Sequence, residues 1–115
     1  MDTFHALAEP TRRAIVELLA REGALSASQI GARFPVSAPA ISQHLKVLRE
    51  AGLVRVERRA QQRIYRINPA AMVEVEEWAQ RVRRLWNRRF DALDALLREE
   101  QAKSAKENDR DGSDR

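Results

Sequence analysis

The chain of 115 residues contains no cysteine. That absence removes disulfides, thiolate metal sites, cysteine nucleophiles and a thiol redox switch together. Long apolar runs are missing as well, since no stretch approaches the roughly 20 residues that a membrane helix requires. The opening Met1-Asp2-Thr3-Phe4-His5 is acidic rather than basic and leads into no apolar segment, so no secretory signal is expected. There is no glycine-rich phosphate loop, no metal-ligand constellation, and no nucleophile accompanied by a base and an orienting acid. No internal repeat is visible. These exclusions leave a soluble, cytoplasmic protein that is no enzyme, enters no membrane and calls for no cofactor. The 43% hydrophobic content supports a small two-layer core, in a chain short enough to bury only roughly 65% of its unfolded surface.

What is present is charge, unevenly placed. The net charge is +4. Residues 31–66 carry eight basic side chains (Arg33, Lys46, Arg49, Arg55, Arg58, Arg59, Arg63 and Arg66) against Glu50 and Glu57 alone. From Asp91 to Arg115 the balance reverses, with five basic and eight acidic residues. A basic middle and an acidic end predict a local polyanion-binding face, set against the plainer reading of an arginine-rich solvated surface.

The periodicities predict mainly helix with one small hairpin, an α+β fold. Phe4, Ala6 and Leu7 form a short helical segment closed by Glu9-Pro10, and Pro10 suits the first position of the next helix. Ala14, Ile15, Leu18 and Leu19 mark one face of that helix, which Gly23 ends. Ser26-Ala27-Ser28-Gln29 fits a capping box for a third helix, with Ile30 and Phe34 on one face and Pro35 stopping it at Phe34. Ser37 is the next N-cap, with Pro39 tolerated in the first turn. The helix from Ala38 to Ala51 stripes Ile41, His44, Leu45 and Leu48 inward and ends at Gly52. Its other face shows Ala40, Ser42, Gln43, Lys46 and Arg49.

Leu53 to Arg59 and Arg63 to Ile67 alternate as strands joined through Ala60-Gln61-Gln62. The connection carries no Asn-Gly or Asp-Gly turn signal. Asn68-Pro69 then caps and opens a last helix. Its stripe of Met72, Val75, Ala79, Val82, Trp86, Phe90, Leu93 and Leu97 extends to about Arg98, more apolar length than so small a domain covers by itself. The domain is therefore read as 1–98, and 99–115 as a disordered, charged tail.

Two helices joined by a tight turn and followed by a basic hairpin make a winged helix-turn-helix, an arrangement suited to double-stranded DNA. A helix fills the major groove, its N-terminal side chains meet base edges, and flanking arginines meet phosphates. The expected DNA-facing set on the helix is Ser37, Pro39, Ala40, Ser42, Gln43, Lys46 and Arg49. On the hairpin it is Arg58, Arg59, Gln62, Arg63 and Tyr65. Gln43 suits bidentate pairing with adenine, and Ser42 serves a base or a phosphate. Ser37 caps the helix and offers its N-terminus to a phosphate. The wing arginines either meet phosphates and the minor groove or simply keep a strand edge soluble. His44, on the inward stripe, reads as a packed histidine rather than a base reader, and His5 as no metal ligand.

Two stretches carry a recognisable likeness: Phe4-His5-Ala6-Leu7-Ala8-Glu9-Pro10-Thr11-Arg12-Arg13, and Ile41-Ser42-Gln43-His44-Leu45-Lys46-Val47-Leu48-Arg49-Glu50-Ala51-Gly52-Leu53-Val54. With Arg58 to Tyr65, they resemble the arsenic-repressor-like (ArsR) family of bacterial regulators over residues 3–97. The resemblance implies a repressor that dimerises through its first and last helices. That would place Phe4, Leu7, Val75, Trp78, Val82, Trp86, Phe90 and Leu93 at a homodimer interface. It would also leave Arg81, Arg83, Arg84, Arg88 and Arg89 exposed or in cross-subunit ion pairs.

The departures are specific. Ser26 and Ser28 stand where metal-sensing members carry a Cys-x-Cys pair. No histidine follows His44, as a last-helix metal site would need. Pro35 replaces the usual turn glycine. Trp78 and Trp86 resemble a metal-independent subgroup, and they also suit a ligand pocket at the interface, although no effector is named by these residues. A function of another class, in which the long last helix holds a partner protein, stays open beside DNA binding.

Overall fold

The computed structural model describes residues 2–113, with side chains described as far as residue 107. Five helices and three strands follow in the order α1 (Thr3–Leu7), α2 (Pro10–Glu22), β1 (Leu25–Ser26), α3 (Ala27–Gly31), α4 (Ala38–Glu50), β2 (Val54–Arg59), β3 (Gln62–Ile67) and α5 (Pro69–Ser113). Two compact units divide the chain between Glu76 and Glu77.

In the first unit, local chemistry sets most of the boundaries. Asp2 caps α1 by accepting from the His5 N–H at 2.8 Å. Glu9 caps α2 by accepting from the Arg12 N–H, also at 2.8 Å, and Pro10 gives up no bond at the first helical position. Arg12 folds back, its Nε donating to the Ala6 carbonyl at 2.7 Å and its Nη2 to that of His5 at 3.3 Å. The Glu-Pro-Thr-Arg run is thus a hinge that caps the end of one helix and the start of the next. The capping box of α3 forms as expected: Gln29 N–H donates to Ser26 Oγ at 3.1 Å, and Ser26 N–H to Gln29 Oε1 at 2.8 Å.

Helix α3 is shorter than its sequence implies. It ends at Gly31 rather than Phe34, and the chain leaves it through tighter bonds, Arg33 N–H to Ile30 O at 3.0 Å and Phe34 N–H to Gly31 O at 3.4 Å. Among the described residues positive φ occurs only at Gly23, Gly52 and Ala60. The turn into α4 therefore requires no left-handed residue, which is why Pro35 serves where a glycine is usual. Helix α4 closes with paired bonds, Gly52 N–H to Arg49 O and Leu53 N–H to Leu48 O, both 3.0 Å, with Gly52 at φ +78°.

The sheet has the order β1-β3-β2 and is antiparallel throughout. Strand β1 was not evident in the sequence, because two residues carry no alternation; Leu25 faces Tyr65 and Ser26 faces Ile64. Strands β2 and β3 meet in a two-residue turn, Ala60-Gln61. Gln62, expected in the connection, instead opens β3 opposite Arg59. Ile15, Ile30, Ile41, Leu45, Leu48, Leu53 and Tyr65 pack into one core between the helices and the sheet.

Helix α5 begins where Asn68 Oδ1 accepts from the Ala70 N–H at 3.3 Å. Asn68 Nδ2 also donates to the Gly52 carbonyl at 2.8 Å. Thr3 Oγ1 donates to Glu74 Oε2 at 3.1 Å, fastening α1 to the first turns of α5. The helix runs for 45 residues, about 68 Å at 1.5 Å per residue. It thus continues through the segment expected to be a disordered tail; residues 114–115 of that segment lie outside the described residues. Residues 99–107 are exposed, but Glu, Gln, Ala and Lys predominate there and all favour helix. Glu99 and Lys103, then Lys103 and Glu107, stand four apart, and extending an existing helix incurs no nucleation cost. A solvated segment need not be an unfolded one.

Candidate nucleic-acid interface

Helix α4 turns Ile41, Leu45, Val47 and Leu48 into the core and leaves Ser37, Pro39, Ser42, Gln43, Lys46 and Arg49 exposed. Ala40, expected on the outer face, is half-buried. Ser37 Oγ accepts from the Ala40 N–H at 3.2 Å, the N-cap that starts the helix. A groove of about 420 Å³ runs between this helix and the wing, lined by Pro39, Ser42, Gln43, Lys46, Arg49 and Arg63 above a floor that includes Ala27, Leu45 and Tyr65. A second, of about 370 Å³, lies where α3 meets α4 and is lined by Ala27, Ser28, Gly31, Val36, Ala38, Ile41 and Ser42. Ala27, Ser28 and Val36 were not among the expected residues. Their only signal is small size opposite the helix turn.

The wing register separates the arginines. Val54 pairs with Ile67, Val56 with Tyr65 and Arg58 with Arg63, so these six share the face that packs on the core and opens into the groove. Arg55 with Arg66, Glu57 with Ile64 and Arg59 with Gln62 share the other. On that other face Glu57 accepts from Arg66 Nη2 at 2.7 Å and stands 3.7 Å from Arg59 Nε. Arg58 and Arg63 have no acidic partner within 4 Å among the described residues. Two like charges directly across a ladder repel, and an anion relieves that repulsion.

Tyr65 lines the floor of the groove yet is 5% exposed and belongs to the core, because the register sets it opposite Val56 on the face that packs inward. Arg33, counted in the basic stretch, is held by Glu22 through two bonds of 2.7 and 2.6 Å, on the side of α2 and α3. His44 is half-buried, with Nδ1 3.8 Å from Glu9 Oε2, in ionic contact when the imidazole is protonated. The Arg12 backbone N–H, then that of Thr11 and the charge of His44, hold the Glu9 carboxyl below the usual carboxylate range against a smaller opposing effect of burial.

Of the residues expected at a dimer interface, Leu7 packs against the core of its own chain, and Val75 is half-buried. Phe4, Trp78, Val82, Trp86, Phe90 and Leu93 are exposed. Trp86 and Phe90 meet edge to face, with ring centroids 5.0 Å apart. Among the described residues no three His, Cys, Asp or Glu side chains gather as metal ligands would, and no helix is long and apolar enough to cross a membrane.

A helical core, an exposed second helix after a tight turn, and a basic two-stranded wing beside it define a winged helix-turn-helix. The class is that of DNA-binding transcriptional regulators, not enzymes. A helix-turn-helix domain family matches residues 7–57. The HTH-type transcriptional regulator Rv2034 of Mycobacterium tuberculosis is 38% identical over 94 residues, covering 82% of this chain and 84% of that protein. The transcriptional repressor SdpR of Bacillus subtilis is 34% identical over 77 residues, covering 67% and 84%. A solved structure, the ArsR-like transcriptional regulator from Rhodococcus sp. RHA1, superposes with a TM-score of 0.68 at 33% identity, covering 81% of this chain and 87% of that one. The chain belongs to the ArsR family of winged helix-turn-helix transcriptional regulators.

Proposed function

We propose that this regulator is a homodimeric repressor that binds a pseudo-palindromic operator and does not respond to thiolate-bound metal. The observation that carries this reading is the groove in which Ser42, Gln43, Lys46 and Arg49 of α4 stand with Arg63 of the wing. Helix α4 enters the major groove, with Gln43 and Ser42 at base edges and Lys46 and Arg49 toward the backbone. Ser37 and Pro39, at the start of the helix, lie nearest a phosphate. Arg58 and Arg63 take the wing contact, while Arg59 and Gln62 on the opposite face contribute less.

Pairing follows from the half-exposed apolar stripe of α5, and it would set two copies of α4 about one helical turn of DNA apart, roughly 34 Å. Metal independence is supported by Ser26 and Ser28, both of which serve the chain itself as cap and first-turn residue of α3. The test is capture of genomic DNA fragments by the purified protein, beside a Gln43→Ala/Arg58→Ala/Arg63→Ala variant. Enrichment of one palindromic promoter site, lost in the variant, is the expected result. Weak retention indifferent to sequence would overturn the reading and favour a partner protein held by α5.

A further inference from the structure

Among the described residues, Val36 is the one large apolar side chain that stands exposed between Phe4 and Val73, at 40%. It follows Pro35 in the turn from α3 to α4 and borders the groove of about 370 Å³ where those helices meet. Ala27, Ser28 and Gly31 of α3 and Ala38, Ile41 and Ser42 of α4 complete the lining. Among the described residues no charged side chain lines this groove, and only Ser28 and Ser42 bring polar side-chain atoms to it. The groove beside the wing is different in kind, since Lys46, Arg49 and Arg63 border it. Ala27 and Ser42 line both, so the two adjoin on one surface. Gly31 keeps the smaller groove open. Its φ is not positive, and a side-chain carbon on it would meet no atom within 4 Å.

We infer that the groove between α3 and α4 reads thymine, by receiving the C5-methyl group of a base in the pair adjoining the one that Gln43 contacts. The inference rests on the proposal that α4 enters the major groove, and it adds a base-specific contact to that reading. Along the major-groove edges of the bases, the groups that distinguish one from another are hydrogen-bond donors and acceptors, except for the thymine methyl, which is apolar. A donor or acceptor set against Ala27, Val36 and Ala38 would give up its water for no partner beyond the two serine hydroxyls. A methyl group gives up nothing there and buries apolar surface. Phosphates are met chiefly by arginine and lysine, which border the neighbouring groove and not this one. Charge thus sorts the two grooves by what they can hold. Ser42, which lines both, sets the methyl-bearing pair beside the pair that Gln43 reads.

Replacing thymine by deoxyuridine removes the methyl and leaves every hydrogen-bonding group of the base in place. In the operator recovered by genomic capture, each thymine is replaced in turn, and the affinity of the full chain is read by anisotropy titration. One thymine in each half-site, adjoining the pair whose identity Gln43→Ala relaxes, should cost about fourfold on replacement, the worth of one buried methyl. Gly31→Leu fills the groove on a helical backbone that favours leucine over glycine, so the variant should fold and lose its preference for thymine over uracil. Val36→Ala only trims the groove and should reduce the preference to about twofold. A thymine preference unchanged in both variants, or no thymine whose methyl matters, would overturn the inference while sparing the repressor reading. The absence of any preferred DNA sequence would overturn both.

Discussion

Ala60 is the residue whose backbone is least suited to its side chain. At φ +54° it occupies the left-handed region at the tip of the wing, where a Cβ costs roughly 1–2 kcal/mol. Ala60→Gly removes that strain but adds unfolded-state freedom of about 0.5–1 kcal/mol, so the expected net gain is about 0.5 kcal/mol. Urea unfolding should place Ala60→Gly above the parent and Ala60→Val clearly below it. Residue-level features of this local kind were largely legible in the sequence. The caps at Ser26, Ser37 and Asn68 depend on neighbours within three positions, and all three formed. Alternation puts Tyr65 on the same strand face as Arg63, as the register does, but it does not say how deeply each position on that face is covered, which depends on the helices packed against it.

At the level of elements, the wing is two surfaces with opposite electrostatics. One presents Arg58 and Arg63 without acidic partners, and the other binds Arg66 and Arg59 to Glu57. Each phosphate neutralised adds close to one unit to the salt dependence of DNA affinity. Arg63→Gln should therefore lower the slope of log affinity against log salt by about 1, and Arg58→Gln by a similar amount. Arg59→Gln should change it by a clearly smaller step, as measured by anisotropy titration across a salt series. Charge counting along the sequence could not separate these arginines, since the division depends on strand register. For a related reason β1 was invisible: two residues become a strand only through what β3 presents to them. The long last helix was legible through its stripe, whereas its continuation past Arg98 was not, because absence of apolar residues was equated with absence of order.

For the whole molecule, the helix proposed to read DNA and the exposed apolar stripe from Trp78 to Leu97 belong to different units of the chain. Trp86→Glu introduces a charge into the stripe of α5 while leaving every core residue of the first unit in place. The variant should keep the far-ultraviolet spectrum and cooperative unfolding of the winged unit yet sediment as a monomer. With one half-site engaged instead of two, its operator affinity should fall by about a hundredfold or more. A variant that still dimerised and still bound tightly would place the pairing surface elsewhere.

Asn68 lies between these two tasks. Its amide donates to the carbonyl of Gly52, just past the end of α4, and its carbonyl oxygen accepts from the first turn of α5. The backbone N–H of the same residue holds Leu53 at 2.9 Å. One side chain and one peptide group therefore act as a rivet joining the helix that would read bases to the root of the helix that would join the two copies. A rivet transmits torque. Any twist imposed at the start of α5 would reach the end of α4 through the two short bonds to Gly52 and Leu53 rather than being lost in a flexible connection.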